Sequence, residues 1–208
     1  MSFKDPFPPL NDVERDALAE IANVAMGRAA TSLRQLVHNE VVLTVPSIEI
    51  LLDSAAARVI SRPDQSHLIA VHEDFRGLFS GRALLIFPET NSLELVRAIV
   101  GREMPLDEVA ELEIEAIQET GNIVLNSWIS TLANLLKHNL IMSVPQVIRG
   151  DGTAIFQTSQ EKFVLFLHIN FAIRETTISG YLALLMDLPS MEALRALISD
   201  FVASFNRG

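Results

Sequence analysis

With 208 residues, 49% of them apolar, the chain can bury a sizeable core in one large domain or two small ones, which excludes a disordered polymer. A net charge of −10 without any Arg/Lys cluster excludes a nucleic-acid backbone as ligand, and the absence of cysteine excludes disulfides and thiolate chemistry. A protein is therefore the expected partner.

Taken in order, residues 1–10 carry Pro6, Pro8 and Pro9 and read as an irregular lead-in. Asn11 suits an N-cap, with Glu14 where a capping box needs it, and a long helix is expected from there to about residue 38. Residues 41–52 are β-rich and contain Pro46, which removes a ladder donor and predicts an edge strand or a bulge. Residues 55–60 are ambiguous, and Arg62-Pro63-Asp64 reads as a turn. Residues 67–72 and 78–87 suggest a strand hairpin, and 91–100 a helix with Gly101 just past its end. Residues 107 to about 138 are again helical, with Gly121 and Asn122 as weak points, and 140–148 is a second Pro-bearing strand. Asp151-Gly152 signals a tight turn, 163–171 and 178–186 a strand pair, and 190–205 a closing helix.

The second half repeats the first at a constant offset of 99 positions: Glu20 with Glu119, Asn23 with Asn122, Leu33 with Leu132, Val45-Pro46 with Val144-Pro145. Ser80-Gly81 likewise matches Ser179-Gly180, and no Gly-, Ser- or Pro-rich linker parts the halves. One α/β domain over residues 1–208 is expected, made of half-repeats at about 11–101 and 107–206. Its two long helices should lie side by side on a mixed or antiparallel sheet.

At 100° per residue, Asp16, Glu20, Asn23 and Gly27 share a face, opposite a core stripe of Leu18, Ile21, Ala25, Ala29, Leu33 and Leu36. Glu115, Glu119, Asn122 and Asn126 share the corresponding face of the second helix, opposite Ile117, Val124, Trp128, Leu132 and Leu135. Asn is a poor mid-helix residue, yet it fills one slot in both copies. Val24, Met26, Ile123 and Leu125 flank these strips, so apolar margins with Gly27 and Asn126 suggest docking surfaces. Gly27 leaves the first strip more open than Asn126 leaves the second.

Asp16-x3-Glu20-x2-Asn23-x22-Pro46 resembles the signature of the CheC/CheX/FliY family of response-regulator phosphatases, in which Asp or Ser, Glu, Asn and Pro stand at those intervals. The second copy, Glu115, Glu119, Asn122 and Pro145, departs only at its first position. The resemblance covers essentially the whole chain and looks most like a two-site CheC-type protein. It implies hydrolysis of the aspartyl phosphate of a CheY-like receiver domain in chemotaxis or related two-component signalling. In family terms, Asn23 and Asn122 orient the attacking water while Glu20 and Glu119 engage the receiver's lysine. The Mg²⁺ is the receiver's own, so no cofactor of this chain is implied, and family members differ in whether CheD also binds. A non-catalytic receiver-binding adaptor or flagellar-switch-like module of the same fold is the alternative.

The residues alone supply no nucleophile, and the five scattered histidines suggest no metal site. Asn carries one acceptor and two donors, which suits holding a water in line with phosphorus. Pro46 and Pro145 are expected to shape the strand under each helix. No apolar run approaches the ~18–20 residues that span a bilayer. No signal peptide is legible either, so no membrane contact and a cytoplasmic location are expected.

Overall fold

The computed structural model describes residues 8–61, 67–100, 105–156, 162–173 and 176–205. Asn11 caps α1 (Asp12–Val37): its Oδ1 accepts from the Glu14 N–H, and its own N–H donates to Glu14 Oε2, each at 2.9 Å. The expected capping box is thus complete. α1 ends at His38, which is left-handed at φ 50°, and among the described residues the only other non-Gly residue with positive φ is Lys137, in the same repeat slot after α4 (Leu106–Leu135). Both long helices stop by the same backbone reversal.

β1 (Val41–Leu52) runs antiparallel to β6 (Phe163–Ile173), and its register slips by one residue between Thr44 and Ser47, the gap that holds Pro46. The slip changes which side chains turn inward. Val41 and Leu43 are buried before it and Ile48 after it, because an extra residue in a period-2 strand moves the core set to the other parity. The proline therefore does what its missing N–H predicted, and β1 lies at the sheet edge.

The ambiguous piece after β1 is the short helix α2 (Asp53–Ile60). β2 (Leu68–Arg76) and β3 (Gly81–Pro88) form the expected hairpin, followed by α3 (Glu89–Val100). The turn expected at residues 62–64 and the glycine expected to end α3 at 101 lie outside the described residues.

The second Pro-bearing strand is broken into β4 (Ile141–Met142) and β5 (Gln146–Gly150), with Pro145 in the break. Both pieces pair with β2, and the register slips by one residue between Phe75↔Met142 and His72↔Gln146, as it does at Pro46. Asp151-Gly152 leads into a short helix, α5 (Gly152–Phe156), where a tight turn was expected. Here Asp151 Oδ1 accepts from the Ala154 N–H, so the Asp acts as an N-cap and the chain turns helical. β7 (Thr176–Met186) and α6 (Leu188–Phe205) complete the chain.

All strands pair antiparallel in one seven-stranded sheet of order β1-β6-β7-β3-β2-β4, with β5 also on β2. If β1 is matched to β4 and β5, β2 to β6 and β3 to β7, this order reads the same from either edge. The larger core joins α1, α3, α4 and α6 to one face of the sheet, and the smaller packs α2 and α5 on the other. Central strands covered on both faces carry near-continuous apolar runs, such as Ala83-Leu84-Leu85-Ile86-Phe87, all buried.

α1 and α4 lie side by side, joined where Arg28 donates to Thr131 Oγ1 at 3.2 Å. The predicted core stripes hold: Leu18, Ile21, Ala25, Ala29 and Leu33 are buried on α1, and Ile117, Val124, Trp128 and Leu132 on α4. Leu36 and Leu135 are partly buried against the same core. Trp128 is fully buried, and its indole N–H has no partner among the described residues.

Candidate functional site

On α1 the polar strip stands in the open. Asp16, Glu20, Asn23 and Gly27 are all exposed, and a Cβ added to Gly27 would meet nothing within 4 Å. Glu20 and Asn23 sit on adjacent turns with their ends free to reach an incoming surface. Pro46 is exposed on β1 beside Ser47, within the register slip.

The strip on α4 is built differently. Glu115 and Glu119 are exposed, but Asn122 and Asn126 are half-buried. The Asn126 amide donates to Asn122 Oδ1 at 2.6 Å and to the Asn122 carbonyl at 2.9 Å. Gln118 donates to the carbonyl of Pro145 at 3.1 Å, fastening α4 to the break between β4 and β5. Gly121 explains how the helix comes so close: an added Cβ would lie 2.4 Å from the Cβ of Val71 on β2.

Two of the expected docking residues are corrected. Met26 and Leu125 are fully buried and cannot form apolar margins. Each long helix has neighbours on both flanks, α1 against α4 and α6, and α4 against α1 and α3. Their buried arcs are therefore wider than a single stripe resting on a sheet. Ile123 is half-buried against the core, which leaves Val24, 36% exposed, as the accessible apolar neighbour among the four.

The sequence reading missed Glu73. This β2 residue is fully buried, shares the helical face with Ile69, Val71 and Phe75, and lies with Oε1 3.5 Å from the Asn126 amide. Burial pushes its carboxyl up to about 7, against the opposing pull of the Asn126 N–H. The signal was an acid at an odd position in an otherwise apolar period-2 pattern. On the opposite sheet face, burial first and the Arg82 charge second hold His72 below its usual range. Arg82 also donates to Asp74 at 2.8 Å and lowers that carboxyl.

A further pair of carboxylates ties the long helices to their neighbours. Glu14 takes a two-pronged bond from Arg195, 2.7 Å to each oxygen, and that guanidinium also donates to the carbonyls of Pro8 and Pro9. Burial alone would raise Glu14, but Arg195 and the Asn11 N–H together hold it below the ordinary value. Its repeat mate Glu113 instead accepts from Arg149 and, at 2.5 Å, from Ser92. Among the described residues, no three His, Cys, Asp or Glu side chains gather as a metal site would require, and no helix is long and apolar enough to cross a membrane.

The fold is thus an antiparallel sheet carrying paired long helices, each with an outward Glu and a nearby Asn. Proteins of known kind resemble it. A family model described as chemotaxis phosphatase CheX matches residues 69–168, which include α4 and the second strip. The flagellar motor switch phosphatase FliY of Bacillus subtilis is 25% identical over 146 residues, covering 69% of this chain and 38% of that protein. The CheY-P phosphatase CheC of the same organism is 24% identical over 144 residues, 68% of each chain. In fold, the chain is similar to Thermotoga maritima FliY at a TM-score of 0.71 and 20% identity, covering 92% of this chain and 98% of that one. The FliM middle domain from Vibrio alginolyticus follows at 0.65 and 14%, over 87% of this chain and 99% of that one. The chain is thus similar to the CheC/CheX/FliY family.

Proposed function

We propose that the chain, as one domain of two half-repeats, hydrolyses the aspartyl phosphate of a CheY-like receiver domain in the cytoplasm. The observation that carries this is the exposed Glu20/Asn23 pair beside the open Gly27, repeated as Glu119/Asn122 on α4. The match to the CheX family model and the similarity to a relative named as a CheY-P phosphatase support it.

Phosphoryl transfer asks the protein for position and charge compensation rather than covalent work. Asn23 accepts a hydrogen bond from a water and points the water's lone pair at phosphorus. As the new O–P bond forms, the bond from phosphorus to the aspartyl oxygen breaks and its electron pair returns to the receiver's carboxylate. The water's proton leaves with the phosphate. Glu20 meets the receiver's lysine and fixes the two surfaces in register, and Glu119 and Asn122 play these parts on α4. The receiver's Mg²⁺ belongs to the substrate.

The test is phosphate release from a phosphorylated receiver. Asn23→Ala with Asn122→Ala is expected to abolish nearly all turnover while circular dichroism shows a folded protein, since Ala is the better helix former at both positions. Wild-type turnover by the double variant would replace the enzyme with a receiver-binding adaptor, a role open to this fold.

A further inference from the structure

The second strip rests on a carboxyl group for which the first has no counterpart. β2 presents Ile69, Val71, Glu73 and Phe75 to the helical layer, whereas β6, its partner in the repeat, presents Leu165, Leu167, Ile169 and Phe171. Asn126, the neighbour of Asn122 one turn on, occupies the slot that Gly27 leaves empty in the first half. Buried acid, bridging amide and site amide thus occur together on one side of the molecule only.

The geometry points to Glu73 as a positioning residue of the second site, fixing the side-chain amide of Asn122 through Asn126. This rests on Asn122 being a water-orienting group. Asn126 has two amide protons and three acceptors in reach: Asn122 Oδ1 at 2.6 Å, the Asn122 carbonyl at 2.9 Å and, as the longest contact, Glu73 Oε1 at 3.5 Å. An amide oxygen has two lone pairs, so Asn122 Oδ1 keeps one for a water after accepting from Asn126. The other carboxyl oxygen, Glu73 Oε2, is buried and has no partner among the described residues. Among the described residues, Asn126 is accordingly the one hydrogen-bonding neighbour of Glu73.

The strength of this hold depends on charge, because a carboxylate is a stronger acceptor than a neutral acid. Burial places the Glu73 titration near 7, with Asn126 as the one counterweight. Among the described residues no ion pair reaches it, and Arg149 on β5 pairs with Glu89 and Glu113 instead. β3 sets Ala83 opposite Glu73, and β5 brings Gln146 alongside His72. His72 and Asp74 turn to the other face, where Arg82 holds Asp74. On α4, Glu115 and Glu119 are exposed; on α3, Glu94 is exposed and Arg97 half-buried. Ionised Glu73 holds Asn126 and hence Asn122; the protonated acid loosens both.

The experiment uses the full chain carrying Asn23→Ala, so that phosphate release from a phosphorylated CheY-like receiver reports the second site. The ratio of the Glu73→Gln rate to that of its parent is followed from about pH 6 to about pH 8, which cancels the receiver's own pH dependence. The parent is expected to gain activity through pH 7 and the Gln variant to lack that step. Glu73→Leu, which copies the apolar face of β6, is expected to slow the second site about five- to tenfold at pH 8, as loss of one charged hydrogen bond allows. Independently of turnover, the Asn122 side-chain amide resonances should titrate near pH 7 in the wild type and not in Glu73→Gln. A constant rate ratio, or Asn122 resonances that ignore pH, overturns the relay. If removing Asn122 from the Asn23→Ala protein costs no activity, the catalytic role of Asn122 fails instead, and the resonances alone decide the relay.

Discussion

The two halves carry nearly the same motif on nearly the same scaffold, yet one strip is free and the other is held. On α1, Glu20 and Asn23 stand exposed next to Gly27; on α4, Asn122 is half-buried, bonded to Asn126 and backed by Glu73. The difference lies in how each helix meets the sheet. Gly121 lets α4 approach Val71 closely, where α1 has Ala22, and two turns on α4 buries Trp128 where α1 buries Ala29. A repeated motif therefore fixes which groups face outward and leaves their mobility to the packing beneath.

Trp128→Ala breaks the comparison most strongly. It makes the α4 slot match Ala29 but leaves a large cavity, and is expected to cost about 3–5 kcal/mol in denaturant unfolding. A cost below ~1 kcal/mol would mean that the halves can pack alike there.

Next comes the pH dependence of stability. Glu73 titrates near 7 in the fold against an ordinary carboxyl value of 4.5, so the folded state binds the proton more tightly. Its contribution is fully present below the ordinary value and is lost as pH rises through about 7, by an amount on the order of 3 kcal/mol. Unfolding free energies measured across that window should fall in the wild type and stay flatter in Glu73→Gln. An unchanged slope would show that Glu73 does not titrate there.

Gly121→Ala should sharpen the contrast between the helices. The added methyl must displace Val71, so a loss of about 1–3 kcal/mol is expected. Gly27→Ala, in open space on an exposed helix face, should instead stabilise by up to about 1 kcal/mol. Equal signs for the two substitutions would contradict the different seating of α1 and α4.

The sequence by itself determined the elements and the outward face of each long helix, because these depend on local signals: the Asn11/Glu14 cap, the 3.6-residue stripes, the period-2 strands and the missing N–H of Pro46. It also placed Glu20, Asn23 and Glu119 on the accessible side, since opposite faces of a helix follow from its pitch. Only the tertiary structure decided the width of the buried arc, which depends on what flanks a helix and which took Met26 and Leu125 out of the surface. It likewise decided that Asn122 meets Asn126 over Glu73, a contact across 53 positions of sequence that no local period encodes. The broken second strand shows both influences at once. Pro145 removed a donor as predicted, but the fastening of its carbonyl to Gln118 needed α4 to lie above it.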